Sequence, residues 1–238
     1  MSRTTVTFNG TDLTAAYVAS NLKVSLLPRT LGGVDVPGRD GRLYTGARMA
    51  AKTITMTLTV RDTTPAGRQA AARALAAALA VSEPKPLAIS HDGGLYWMAI
   101  PSSDSDGRRY LAATSFEVRF TAYDPVMRGT QRTVSVPSGG SLALTVGGTY
   151  PTMPTITANA TPSGGVWKLQ KEDGSYLSIA LPARRAIVCD CEARTLTVAG
   201  DVWPLAPDAD WLVLEPGSHT LAMTGTGAAT VTYTERWL

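Results

Sequence analysis

The sequence predicts a mainly β protein of two domains, the first a sheet carrying one α-helix and the second an all-β sandwich of short strands. Three observations carry this: many short runs with period-two alternation, turn residues between them, and a single alanine-rich stretch with helix-start chemistry.

The alternation is clearest in residues 52–61, where Ile54, Met56, Leu58 and Val60 are separated by Thr53, Thr55, Thr57 and Thr59. Successive side chains of an extended chain point to opposite faces, so one set turns to a core and the threonines to water. Phe116, Val118, Phe120 and Ala122 repeat the pattern, as do Leu142, Leu144 and Val146, and later Ala229, Val231 and Tyr233. Asp92-Gly93-Gly94, Asp106-Gly107 and Asp173-Gly174 sit between such runs and are predicted to be turns. The helix is predicted over residues 66–80. Thr64 caps it, Pro65 takes the first helical position, and strong helix formers follow. Leu75 and Leu79 lie one turn apart, flanked by Ala71, Ala72 and Ala78, which makes a thin helix suited to packing close on a sheet. Pro84 and Pro86 stop it.

A strongly patterned strand ends around Tyr123-Asp124-Pro125, and polar, glycine-rich sequence follows over residues 131–140. The charge balance changes sign there too. Residues 1–132 hold 16 Lys/Arg and 10 Asp/Glu, whereas residues 133–238 hold 6 and 9. The boundary is therefore expected within residues 124–133, giving domains 1–130 and 131–238. The basic residues of the first half are scattered rather than clustered, which speaks against a nucleic-acid module. With 238 residues and 44% apolar content the chain has material for a packed core. No stretch approaches the roughly 20 apolar residues of a spanning helix, and Met1-Ser2-Arg3-Thr4 lacks the apolar run of a signal peptide. A soluble protein, kept in the cytoplasm or in a particle assembled there, is expected.

Catalytic chemistry finds no constellation. Cys189 and Cys191 form a Cys-x-Cys run without further ligands, and are expected to be structural thiols on a strand. The glycine-rich residues 32–41 lack the Gly-Lys-Ser/Thr ending of a phosphate loop, and no helix follows directly. His91 and His219 fall in different domains, without a neighbouring nucleophile motif, and are expected at turns or strand edges. The acidic pairs Asp104/Asp106, Glu172/Asp173 and Asp208/Asp210 lie in loop-like sequence, where solvated charge is the usual outcome. Asp104-Ser105-Asp106-Gly107 lacks the spacing and distal Glu of a calcium loop. The expectation is a protein that is not an enzyme and has no cofactor and no metal. Of the five tryptophans, Trp97, Trp167, Trp203, Trp211 and Trp237, most are expected in cores. Trp167 and Trp203 are the candidates should the second domain offer aromatics to a glycan.

Residues 31–48 stand apart. Few of them could fill a core. Asp40-Gly41 suits a tight hairpin turn, with Val34, Val36, Leu43 and Tyr44 in the flanking strands. A lone two-stranded ribbon is marginal in water, so this segment is either mobile or ordered by a surface that another subunit supplies.

Several stretches resemble, in order, one family. Phe8-Asn9-Gly10-Thr11-Asp12-Leu13, Pro37-Gly38-Arg39-Asp40-Gly41, the strand 54–60 followed by the helix, and residues 116–120 running into Asp124-Pro125 look like the N-terminal domain of the distal tail (Dit) proteins of long, flexible-tailed phages. Ala186-Ile187-Val188-Cys189-Asp190-Cys191-Glu192 leading to Thr195-Leu196-Thr197-Val198, then Trp211-Leu212, Leu214-Glu215-Pro216-Gly217-Ser218-His219 and the closing Arg236-Trp237-Leu238, are similar to the family's C-terminal domain. The resemblance implies a split β-barrel-like N-terminal domain with one helix and an extended arm, and a galectin-like C-terminal sandwich. It implies a ring of six subunits around a channel through which DNA only passes, at the distal tail tip of the virion. Implied partners are the tail tube protein and tail-tip proteins such as a tail-associated lysin and receptor-binding proteins, with no membrane insertion. The arm, which reaches a neighbouring subunit, maps to Gly32, Val34, Val36, Pro37, Gly38, Arg39, Asp40, Gly41, Leu43 and Tyr44. The alternative function is a carbohydrate-binding adhesin module of the tail tip. Some family members carry carbohydrate-binding modules as insertions, for which this chain has no room.

Overall fold

A computed structural model describes residues 4–102, 106–109 and 114–238. The chain divides into two compact units between Arg128 and Gly129. In the first, β1 (Val6–Phe8), β2 (Thr11–Asp12) and β3 (Tyr17–Val24) precede a two-stranded excursion, β4 (Arg29–Asp35) and β5 (Arg42–Met49). Then come β6 (Lys52–Val60), helix α1 (Pro65–Leu79), β7 (Lys85–Ile89), β8 (Tyr96–Pro101), β9 (Asp106–Arg109) and β10 (Thr114–Ala122). The strand β11 (Met127–Val136) carries the chain across the division. Residues 131–140, expected as a connecting stretch, are thus largely strand. Their polar side chains alternate with Val134 and Val136, which is enough for a half-buried ribbon.

Strands of the first unit run in the order β1-β7-β8-β10-β6-β3, with β2 beside β1 and β9 beside β10. The threonine alternation does what period two requires. Ile54, Met56, Leu58 and Val60 of β6 are buried, and so are Val118, Phe120 and Ala122 of the paired β10. Phe8 and Phe120 pack with ring centroids 5.0 Å apart. Lys52 opens the inward row of β6 as a buried cation, 5.3 Å above the Trp97 ring. Burial lowers its pKa, against the pull of Asp92.

Helix α1 begins where its chemistry says. Thr64 Oγ1 accepts from Gly67 N (3.0 Å), and the threonine is itself held by Asp62, whose Oδ1 accepts from Thr64 N (2.7 Å) and Thr64 Oγ1 (2.8 Å). A Cβ on Gly67 would collide with that carboxylate, so the glycine is part of the cap. Leu75 is the one buried residue of the helix, with Ala71, Ala78 and Leu79 partly buried beside it. The Tyr17 hydroxyl donates to Ala71 O at 2.6 Å.

Asp106-Gly107 is not a turn. It lies within β9, opposite Glu117 and Phe116 of β10. The connection between these strands falls in residues 110–113, outside the described residues, as does Asp104. Asp92-Gly93-Gly94 and Asp173-Gly174 do turn the chain, with φ of 61° at Gly93, 88° at Gly94 and 91° at Gly174.

The second unit adds β12 (Ser141–Val146), β13 (Thr155–Ala160), β14 (Val166–Lys171), β15 (Tyr176–Ala180), β16 (Arg185–Asp190), β17 (Thr195–Val198), β18 (Asp201–Val202), β19 (Gly217–Thr224) and β20 (Ala229–Trp237). One sheet runs β18-β17-β16-β13-β20-β11 and the other β12-β19-β14-β15. Their inner faces meet in a core that includes Ile156, Ile187, Leu196 and Val231 from the first, and Leu144, Trp167, Leu169, Leu177 and Leu221 from the second. This is a sandwich of two antiparallel sheets.

His219 is not the edge residue the sequence suggested. It lies within β19 at 8% exposure, and both ring nitrogens are engaged, Nδ1 with Glu172 Oε1 (2.7 Å) and Nε2 with Glu215 O (2.6 Å). Glu172 Oε2 also accepts from Thr220 N at 2.7 Å. One carboxylate therefore ties the β14–β15 turn to β19. Desolvation pushes its pKa up, but the Thr220 amide and the His219 ring outweigh it and hold the carboxyl below its ordinary value. Glu172 and Asp173 lie exposed in the turn after β14, as expected of loop charges, but both also brace the fold. Asp173 pairs with Lys171 at 2.6 Å and accepts from Ser175.

Two predictions follow from these anchors. Replacing Leu75 with Ala removes the helix's one buried anchor, and a loss of about 2–5 kcal/mol is expected in denaturant unfolding. For Glu172, a folded pKa below the unfolded one means stability present above pH ~4.5 and lost as the pH falls through the folded value. Melting temperatures of the native protein and Glu172→Gln should therefore differ near neutrality and converge in acid. A constant gap across that range would remove Glu172 from the titration.

Candidate functional site, an exposed two-stranded arm

The feature that no core accounts for is the β4–β5 ribbon. It extends the β3–β6 ladder, whose last rung is Val24 opposite Ile54. Ser25 N donates to Thr53 O (3.3 Å) and Ala50 N to Pro28 O (2.9 Å), which carries the hydrogen bonding out to the arm. From Arg29 opposite Met49 the ribbon runs to Asp35 opposite Arg42. A register shift lies between Gly32 and Gly33 and leaves Thr45 as the extra residue on β5. Glycine is needed there. A Cβ on Gly32 would lie 2.6 Å from Thr45 Oγ1, and Gly46 sits at φ 138°.

The turn lies earlier than the sequence suggested. Arg39 N donates to Val36 O (3.2 Å), so the tight turn is Val36-Pro37-Gly38-Arg39, with Gly38 at φ 75°. Proline presets the second position and glycine supplies the left-handed third, and this outweighs Asp40-Gly41. Val34, Leu43 and Tyr44 lie in the strands as expected, while Val36 belongs to the turn.

Exposure sets this segment apart. Among the described residues, the large apolar side chains left exposed include Val18, Val24, Leu26, Leu27, Leu31, Val34, Val36, Leu43 and Tyr44, with Leu26 at 91%, Leu31 at 69% and Tyr44 at 65%. Only Tyr123, Val188, Val202, Trp203 and Leu238 join them from the rest. Arg29, Arg39, Arg42 and Arg48 outnumber Asp35 and Asp40, so the arm is basic as well as apolar. Arg42 and Asp35 form an ion pair across the ribbon at 3.1 Å. What the arm offers is contact area.

The other candidates fall elsewhere. Trp167 is fully buried in the second unit's core and is withdrawn as a glycan platform, because neither ring face is open to a sugar. Trp203 is 36% exposed and follows the exposed Val202. Cys189 and Cys191 are buried free thiols with sulfurs 3.9 Å apart. His91 is exposed, with Nε2 2.8 Å from Thr4 Oγ1. Asp208 accepts from the Tyr176 hydroxyl at 2.7 Å. Among the described residues, no group of three or more His, Cys, Asp or Glu is placed to hold a metal ion.

Two family models match the chain. One, described as a phage tail protein RIFT-related domain, covers residues 18–122, and the other, the C-terminal domain of a siphovirus-type tail component, covers residues 147–237. The molecule is a siphovirus tail protein. Among solved structures, the Dit protein of phage SPP1, described as a paradigm of the hub adsorption apparatus in phages infecting Gram-positive hosts, matches with a TM-score of 0.82 at 19% identity, covering 100% of both chains. A chain of the phage P2 baseplate in its activated conformation with Ca matches with a TM-score of 0.53 at 9% identity, over 99% of this chain and 98% of that one. No curated protein matches. The chain belongs to the distal tail (Dit) protein family, with a split β-barrel-like N-terminal domain bearing one helix and an arm, and a galectin-like C-terminal sandwich. It is a siphovirus-type tail component.

The two tryptophans separate core from surface. Trp167→Ala should cost about 3–5 kcal/mol of unfolding free energy, whereas Trp203→Ala, at a partly exposed ring, should cost clearly less. Equal effects on denaturant midpoints would contradict this assignment.

Proposed function

We propose that this protein forms a ring of six at the distal end of a phage tail and joins the tail tube to the baseplate and host-recognition proteins. The observation that carries the reading is the arm, a two-stranded ribbon with apolar side chains on both faces and no core beneath it. Such a ribbon is marginal alone and a hazard if left open. Laid along a neighbouring copy it gains cover. Because arm and socket are then different surfaces, the contact is head-to-tail, the kind that forms a ring when the rotation between copies closes.

In this reading the N-terminal domain builds the ring and continues the tube, with DNA only passing through its channel. The C-terminal domain braces the assembly or attaches peripheral proteins. The partners are the tail tube protein, a tail-associated lysin and receptor-binding proteins. The protein is assembled in the host cytoplasm, does not insert in a membrane and catalyses no reaction. Membership of a structural tail family supports this, as does the use of Glu172, Asp173, Asp208 and His219 in bracing contacts. A carbohydrate-binding role would have to rest on Trp203 without Trp167.

Electron microscopy and sedimentation of the purified protein test the ring. Six-fold particles are expected, alone or with tube and tip partners added, and a monomer under every such condition defeats the proposal. Deleting residues 29–49 should leave a folded protein, melting within a few degrees of the native one, that no longer assembles. Unfolding of the deletion variant would mean that the ribbon belongs to the core.

A further inference from the structure

Beyond its bulge at Thr45 and its turn at residues 36–39, the outer half of the arm has few of the devices that fix a hairpin's register. A two-residue turn would do so, but residues 36–41 intervene between Asp35 and Arg42. A buried face would also do so, since a slip of one residue turns every side chain over. Here both faces are open, and Gly32, Gly33 and Gly46 offer nothing to grip. The Val34–Leu43 rung contributes attraction, yet apolar contact is non-directional and tolerates a slipped partner.

One side chain discriminates. Arg42 Nη2 donates to Gly33 O at 2.8 Å, and its Nε lies 3.1 Å from Asp35 Oδ1. Asp35 is the residue directly opposite, and Gly33 lies two positions back along the same strand. The planar guanidinium thus spans the rung and reaches along the partner strand, which suits its fixed fork of donors. A one-residue slip places Arg42 and Asp35 on opposite faces and breaks both contacts.

We propose that Arg42 is the register pin of the arm, holding the ribbon in its docking form before any partner is met. The inference rests on the reading of the arm as the contact between subunits. Apparent affinity falls in proportion to the competent fraction of the binding form. An exposed pair is weak by itself, but a marginal ribbon leaves little else to set that fraction.

The test uses the full chain. Arg42→Gln should speed amide hydrogen exchange across residues 29–49 in the unassembled protein and weaken self-association about two- to tenfold. Its melting temperature should stay unchanged. A second variant, Asp35→Cys with Arg42→Cys, replaces the pin by a cross-strand disulfide at directly opposed positions, whose Cα atoms lie about 4.5–5.5 Å apart in an antiparallel pair, within a disulfide's span. Oxidised, it should recover both exchange protection and association, and reduction should abolish both. If Arg42→Gln weakens association while exchange is unchanged, or the oxidised variant is protected yet fails to associate, Arg42 touches the partner directly and the pin is overturned. If deleting residues 29–49 leaves association intact, the arm reading itself has failed.

Discussion

The arm depends on the ladder between β3 and β6. Those strands pair from Tyr17 opposite Val60 out to Val24 opposite Ile54, and β6 is pinned in turn by eight rungs to β10. Its inward row of Ile54, Met56, Leu58 and Val60 cannot shift by one residue without carrying all four into water. That penalty fixes where β3 and β6 leave the sheet, and so fixes the root of the ribbon that extends them. An exposed ribbon has no burial of its own to orient it. Here it inherits a starting position from a hydrophobic register inside the first unit.

That inheritance explains which parts of the fold were legible in the sequence. Wherever burial enforces period two, the alternation announced the strand, as in residues 52–60, 116–122 and 229–233. The helix was legible for another reason. Thr64 and Pro65 are local devices whose meaning needs no partner, and Leu75 sits where the apolar stripe puts it. The second layer of the cap, Asp62 beneath Thr64 with Gly67 kept bare beside it, was not visible, because it is a property of three-dimensional proximity.

The misreadings share a cause as well. Asp106-Gly107 and Asp40-Gly41 both have turn composition, yet one lies in a strand and the other follows a turn already made at Pro37-Gly38. Composition gives permission for a turn without forcing one, and a neighbouring Pro-Gly pair outcompetes it. His219 was expected at a turn or strand edge and Glu172 as a loop charge; they are 47 residues apart, and only the sandwich brings Nδ1 within 2.7 Å of the carboxylate. For Trp167 the sequence favoured a core and kept a glycan-facing role as the alternative, since an aromatic on a strand fits either. Its neighbours in the fold put it in the core.

In the arm, legibility and function part company. Its residues carry little period-two signal because no single face is buried, and the same lack of a buried face is what leaves Leu31, Val34, Leu43 and Tyr44 exposed. A strand meant for its own core declares itself through alternation, whereas a strand covered by another molecule need not, since its burial lies outside the chain. Apolar residues without periodicity, beside glycines that bend the ribbon and a Pro-Gly turn that ends it, therefore form a pattern of their own. Within one chain it reads as a loop, and once the roots at Val24 and Ile54 are seen in a sheet it reads as an exposed ribbon, the surface that the proposed ring contact would cover.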